Sequence, residues 1–138
     1  MNSKKILIFG VFDGIHEGHL SFICEAKKHG NQLIAIVARD SIVETIKGKL
    51  PINNEVDRIN ALLEIPEIDR VLLGDLHKGT YHVLKEVDPD IVFLGYDQSK
   101  LKNDLNKKIK EGYLSDIEIL QGSPFKPDEL HSSILNNK

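Results

Sequence analysis

The chain has 138 residues, 41% hydrophobic and 28% charged, with a formal net charge of -3. So much apolar material at so little net charge excludes disorder, and the length fits a single domain spanning 1–138. One cysteine, Cys24, excludes an internal disulfide and points to a reducing, cytoplasmic setting, while 18 Lys+Arg against 21 Asp+Glu leaves no basic face for nucleic acid.

Residues 5–12 (KILIFGVF) read as a first strand, apolar almost throughout, as a strand covered on both faces should be. This run is far too short for a membrane span. A helix is expected over 18–29, with Leu20, Ile23, Cys24 and Lys27 at helical spacing and Gly30 as its stop. That spacing puts Cys24 on the apolar face, as a buried, inert thiol. A second buried strand covers 32–38, a short helix 39–46, and a polar lysine loop 47–54. Asn54 can cap a helix over 55–65. Strand 69–74, helix 79–87, strand 90–95 and a lysine-rich helix 101–111 follow. An edge strand is expected over 114–120, then an irregular tail with a last helical turn from Ser132.

Alternating apolar strands and helices predict an α/β, Rossmann-like, doubly wound parallel sheet of about five strands, with helices on both faces. Such sheets bind ligands beyond the carboxyl ends of their strands, here at 10–19, 39–49, 74–80 and 95–100.

The first of these loops carries the chemistry: GVFDGIHEGH, residues 10–19. Gly10 and Gly14 allow a tight turn and a close backbone approach. The following helix presents its free N–H groups and positive dipole end, an anion site in itself. His16 and His19, three residues apart, add imidazole donors that can hold a phosphate and stabilise charge growing on it. A metal site built on His16, His19 and Asp13 finds no further His/Cys cluster to complete it. The spacing is not that of a dinucleotide-binding G-x-G-x-x-G loop.

This loop, with Phe12, Asp13, His16, Gly18 and His19 in register, resembles the signature of the HxGH nucleotidyltransferase superfamily. The likeness extends to VARDSIVETIKGKLPI, to Glu55 and Arg58, to LGYDQ at 94–98 and to HSS at 131–133, a combination most similar to the archaeal-type FAD synthase branch. Several expectations follow from the resemblance. AMP passes from ATP to the phosphate of FMN, giving FAD and pyrophosphate. His16, His19 and Lys47 are catalytic, and the nucleotide lies on Gly10, Val11, Phe12, Asp13, His16, Glu17, Gly18, His19, Asp97, Ser132 and Ser133. Lys47, Lys49 and Arg58 hold the acceptor, while Tyr96 and Tyr81 are read as core or rim packing, with stacking on a base or flavin ring as the alternative. Mg²⁺ or a similar cation, with ligands unassigned, offsets the triphosphate charge, and two copies pair as a homodimer with no membrane or nucleic-acid partner. The chain departs from the pattern at Val11, where Thr is common, and at 134–137, where ILNN replaces a threonine followed by a basic residue. Alternatives are a cytidylyltransferase acting on glycerol 3-phosphate or a similar phosphorylated alcohol, phosphopantetheine adenylyl transfer, and a non-catalytic nucleotide-binding module.

Overall fold

Ten elements run in chain order through the computed structural model, which describes residues 4–77 and 79–124. They are β1 (Lys5–Gly10), α1 (Glu17–Lys27), β2 (Gln32–Val37), α2 (Asp40–Lys47), α3 (Glu55–Leu63), β3 (Arg70–Leu73), α4 (His82–Val87), β4 (Ile91–Leu94), α5 (Ser99–Lys110) and β5 (Glu118–Gln121). The strands form one parallel sheet ordered β3-β2-β1-β4-β5, the doubly wound architecture that the alternation predicts.

The strands are apolar on both sides because both sides are covered. Ile6, Ile8, Leu33, Ala35 and Val37 enter one core with Ile23 and Ala26 of α1 and Leu62 of α3. Leu7, Ile34 and Ile36, the intervening residues, enter the other with Leu84 and Val87 of α4 and Leu105 of α5. Burying each such side chain contributes about 1.5–3 kcal/mol.

The chain reverses direction across the sheet between β1 and β4. β1 pairs with β2 along its whole length, from Lys5–Gln32 to Gly10–Val37, but with β4 only at Ile6–Ile91 and Leu7–Val92. The last residues of β1 therefore run past β4, and a crevice opens beside them. Gln98 bridges it: its side chain donates to the Phe9 carbonyl (3.1 Å) and accepts from the Gly95 N–H (2.7 Å).

Three expectations need correction. α4 begins at His82, not 79, because Tyr81 is left-handed (φ 54°) and the Asp75 carboxylate caps the helix by accepting from the N–H groups of His82 and Val83. β5 is confined to 118–121, because α5 closes through left-handed Gly112 and a Leu114 N–H bond to the Lys108 carbonyl. Leu114 and Ile117 are then core side chains ahead of the strand. Cys24 is exposed, since Ile23 and Ala26 take the buried stripe of α1. The expected helical turn from Ser132 lies outside the described residues.

Candidate active site

A cavity of about 870 Å³ occupies the crevice at the carboxyl ends of β1 and β4. Phe9, Gly10, Val11, Phe12 and Asp13 form one wall, and His16, Gly18 and His19 stand at the start of α1. Ser21, Phe22 and Glu25 continue along that helix. Lys47 enters from the end of α2, and Gly95, Tyr96, Asp97 and Gln98 close the β4 side with Ser123 and Pro124.

The loop after β1 is tightly wound. Phe12 sits in the left-handed region (φ 54°), where a bulky residue carries strain of about 1–3 kcal/mol. Its ring turns back into the core, so close to Gly10 that a Cβ there would meet ring carbons at 2.7 Å. Gly10 is thus required by space and Gly14 (φ 85°) by conformation. The Asp13 carboxylate accepts from the N–H groups of Ile52 (2.7 Å) and Asn53 (2.8 Å) and from the Asn53 side chain (2.9 Å). These bonds hold its pKa below the usual carboxylate value.

The two histidines cap α1 in place of the usual hydroxyl or carboxylate. His16 is the N-cap; its Nδ1 accepts from the Gly18 N–H (3.0 Å), and its own N–H donates to His19 Nδ1 (3.2 Å). The arrangement is the reciprocal logic of a capping box, executed with two imidazoles. The rings lie with centroids 3.9 Å apart, and the His19 ring also meets Phe12 at 5.7 Å. An imidazole that accepts at Nδ1 carries its proton on Nε2 when neutral. The cap therefore fixes the tautomer of both rings and leaves two Nε2–H donors beside a helix N-terminus, with no hydrogen-bond partner among the described residues. Burial, then the neighbouring His16, lowers the His19 pKa, so His19 stays neutral through neutral pH.

Of the other expected residues, Asp97 and Lys47 line the cavity, whereas Glu17 and Lys49 are exposed and do not. Arg58 is the clearest difference. It is 1% exposed, donating Nη1 to the Val11 carbonyl (2.8 Å), Nε to the Asn53 carbonyl (3.0 Å) and Nη2 to Asp40 (2.7 Å). With each of its nitrogens engaged, it is not a surface arginine waiting for an acceptor. Tyr81 is also away from the cavity: its hydroxyl donates to Asp104 of α5, and burial, with that partner, raises its pKa. Ser132 and Ser133 lie outside the described residues. Sequence reasoning missed Ser21, Phe22, Glu25, Ser123 and Pro124, and gave Gln98 no role of its own. Gln98 directly follows Asp97 in the LGYDQ segment, but its bridging bond to β1 spans 89 positions.

Asp13, Glu25 and Asp97 are the carboxylates of the cavity wall, yet among the described residues no three His, Cys, Asp or Glu side chains converge on one point. The residues described do not form a cation cage of their own. The described residues also contain no helix long and apolar enough to cross a membrane.

With this geometry in view, comparison with known proteins is specific. The Cytidylyltransferase-like family profile matches residues 7–130, and the chain belongs to that family. It is 40% identical to a protein named FAD synthase from Thermococcus sibiricus over 111 residues, covering 76% of this chain and 75% of that one. It is 40% identical to a FAD synthase from Pyrococcus horikoshii over 117 residues, covering 85% and 78%. Among solved structures, a protein titled lipopolysaccharide core biosynthesis protein from Thermoplasma volcanium superposes with a TM-score of 0.82 at 34% identity, covering 91% of this chain and all of that one. A pantothenate synthetase from Thermus thermophilus shares the fold at 11% identity, with a TM-score of 0.61 over 87% of this chain and 55% of that one.

Proposed function

We propose that this chain is a nucleotidyltransferase that transfers AMP from ATP to the phosphate of FMN, giving FAD and pyrophosphate. The observation that carries the reading is the pair of tautomer-fixed histidines on the wall of a cavity at the sheet's switch point, in a chain 40% identical to FAD synthases.

A phosphate oxygen of FMN attacks the α-phosphorus of ATP, the bond to the β-phosphate oxygen breaks, and pyrophosphate leaves with that electron pair. No covalent enzyme intermediate is required, because phosphoryl-type transfer works chiefly by positioning and electrostatics. The Nε2–H groups of His16 and His19 donate to the phosphate oxygens on which charge accumulates. The wall from Gly10 to Asp13, with Gly18, brings backbone close to the nucleotide. Asp97 faces the nucleoside, Tyr96 offers a stacking face, and Lys47 neutralises charge between the two substrates. Ile52, 94% exposed beside Asp13, gives an apolar seat for the flavin ring. The family resemblance assigns Ser132 and Ser133 a role in holding the triphosphate. A divalent cation such as Mg²⁺ enters with the triphosphate as part of the substrate. The homodimer implied by the family resemblance and the cytoplasmic location inferred from the lone cysteine belong to the same reading.

The test is pyrophosphate release from ATP and from CTP, each with FMN, glycerol 3-phosphate, phosphopantetheine or no acceptor. Release is expected for ATP with FMN and is lost in His16→Ala. Release for CTP with glycerol 3-phosphate instead overturns the substrates and keeps the chemistry.

A further inference from the structure

Arg58 stands alone among the described residues as a polar or charged side chain in the core. Desolvating a guanidinium is costly, and a buried ion pair is no more stabilising than well-packed apolar side chains. Bulk stability therefore does not account for it. Its contacts do: each nitrogen of the fork reaches a different piece of chain. Nη1 holds the carbonyl of Val11 on the cavity wall, Nη2 holds Asp40 in the first turn of α2, and Nε holds the carbonyl of Asn53 ahead of α3.

Two of these pieces, Val11 and Asn53, bear on Phe12. Val11 immediately precedes that left-handed residue, and Asp13 immediately follows it. A bulky side chain keeps a left-handed backbone only where the surroundings over-determine it. Here Arg58 pins the carbonyl before Phe12, and Asp13 pins the carboxylate after it to Ile52 and Asn53. Both anchors end on the same segment, 52–58. Phe12 in turn carries the ring that lies against His19, whose Nδ1 must meet the His16 N–H for the Nε2–H donor to face the substrate.

We propose that Arg58 is a positioning residue for nucleotidyl transfer: it touches neither substrate, and its three-way brace holds the loop after β1 in the strained form that aims His16 and His19. The proposal rests on the cavity being a nucleotidyl-transfer site. It differs from an acceptor-binding role in a measurable way. An arginine that gripped the FMN phosphate would act on the KM for FMN. An arginine that aims the histidines acts on kcat, since their donors matter most where charge develops in the transition state.

The test is Arg58→Lys in the full chain, which keeps the charge and loses the fork. Melting curves and circular dichroism establish that it folds, and Asp40→Asn, which removes one arm of the brace from the other side, is the second variant. We expect Arg58→Lys to lower kcat for FAD formation by about 100-fold, the scale of an ångström-level misplacement, with both KM values within about threefold. Asp40→Asn should show a smaller loss of the same kind. The imidazole ¹⁵N signals of His19 supply a readout that needs no acceptor. Wild type should show the Nε2–H form, and Arg58→Lys a mixture of tautomers. A raised KM for FMN at unchanged kcat overturns the proposal in favour of direct acceptor binding. Wild-type kcat together with an unchanged His19 spectrum overturns it outright. Absence of FAD from wild type overturns the substrate assignment instead, and the His19 spectra then decide the role of Arg58.

Discussion

Two strand-to-helix connections in this molecule use the same parts for different ends. After β1 and after β3, an aromatic residue, Phe12 or Tyr81, is left-handed at φ 54°, and an aspartate, Asp13 or Asp75, gathers backbone N–H groups. After β3 the aspartate caps its own helix, with Thr80 donating to it as well. A carboxylate then occupies the N-terminus of α4, and no anion can. After β1 the aspartate reaches instead to a neighbouring loop, and α1 is capped by imidazoles whose other nitrogens have no partner among the described residues. Position completes the contrast: β3 is a sheet edge, and β1 borders the switch point. The same local chemistry makes a structural corner in one place and a site in the other.

The contrast is broken most sharply at the capping imidazoles. His19→Ala should lower kcat for FAD formation by about 100–1,000-fold, the scale of losing one transition-state donor, with circular dichroism unchanged. His82→Ala, in the corner after β3, should leave kcat untouched. Next come the aspartates. Asp13→Asn should reduce kcat by about tenfold, whereas Asp75→Asn should lower the melting temperature by roughly 3–8 °C with kcat intact. Equal kinetic effects from both would erase the distinction between the two loops.

The pH dependence is of intermediate size. Because the folded pKa of His19 is depressed, its contribution to stability is complete above its ordinary value of 6.5. It declines as pH falls below that value, where the unfolded chain takes up a proton that the fold resists. Melting of wild type against His19→Gln between pH 5 and 8 checks this, and kcat should hold to below pH 6.5. The carboxylates act in the same sense, in a lower pH window. Bonds from the N–H groups of Asn53 and Ile52 lower the Asp13 pKa, and Lys27 with the Leu33 N–H lowers that of Asp69. Burial raises that of Asp75, and the donors from Thr80, Val83 and His82 outweigh it. Each of the three stabilises the fold above its ordinary value of 3.8, and that contribution is lost as pH falls through the lower folded value. The smallest effect is at the rim: Ile52→Ser should raise the KM for FMN by about threefold, the worth of part of one exposed apolar contact, and leave that for ATP alone.

Much of this could be read from residues alone. The apolar strands, their alternation with helices and the GVFDGIHEGH loop are local signals, and the structure places all three as expected. The bracing role of Arg58 was not legible, because sequence spacing says which residues share a helix face, not what faces them. Its decisive partner, the Val11 carbonyl, is 47 positions away. The start of α4 was missed for a related reason: Asp75 caps it from seven residues upstream through a left-handed tyrosine. Cys24 shows the weakness of a short stripe, since a rotation of one position separates a core side chain from an exposed one.

The most direct measurement is a single turnover with ATP labelled at the α-phosphorus, FMN and excess enzyme. All label should pass to FAD, with unlabelled pyrophosphate released at the same rate and no labelled protein formed, and His19→Ala should slow both products together. Label remaining in ATP while nucleotide stays bound, or label trapped on the protein, would contradict direct transfer to FMN by this site.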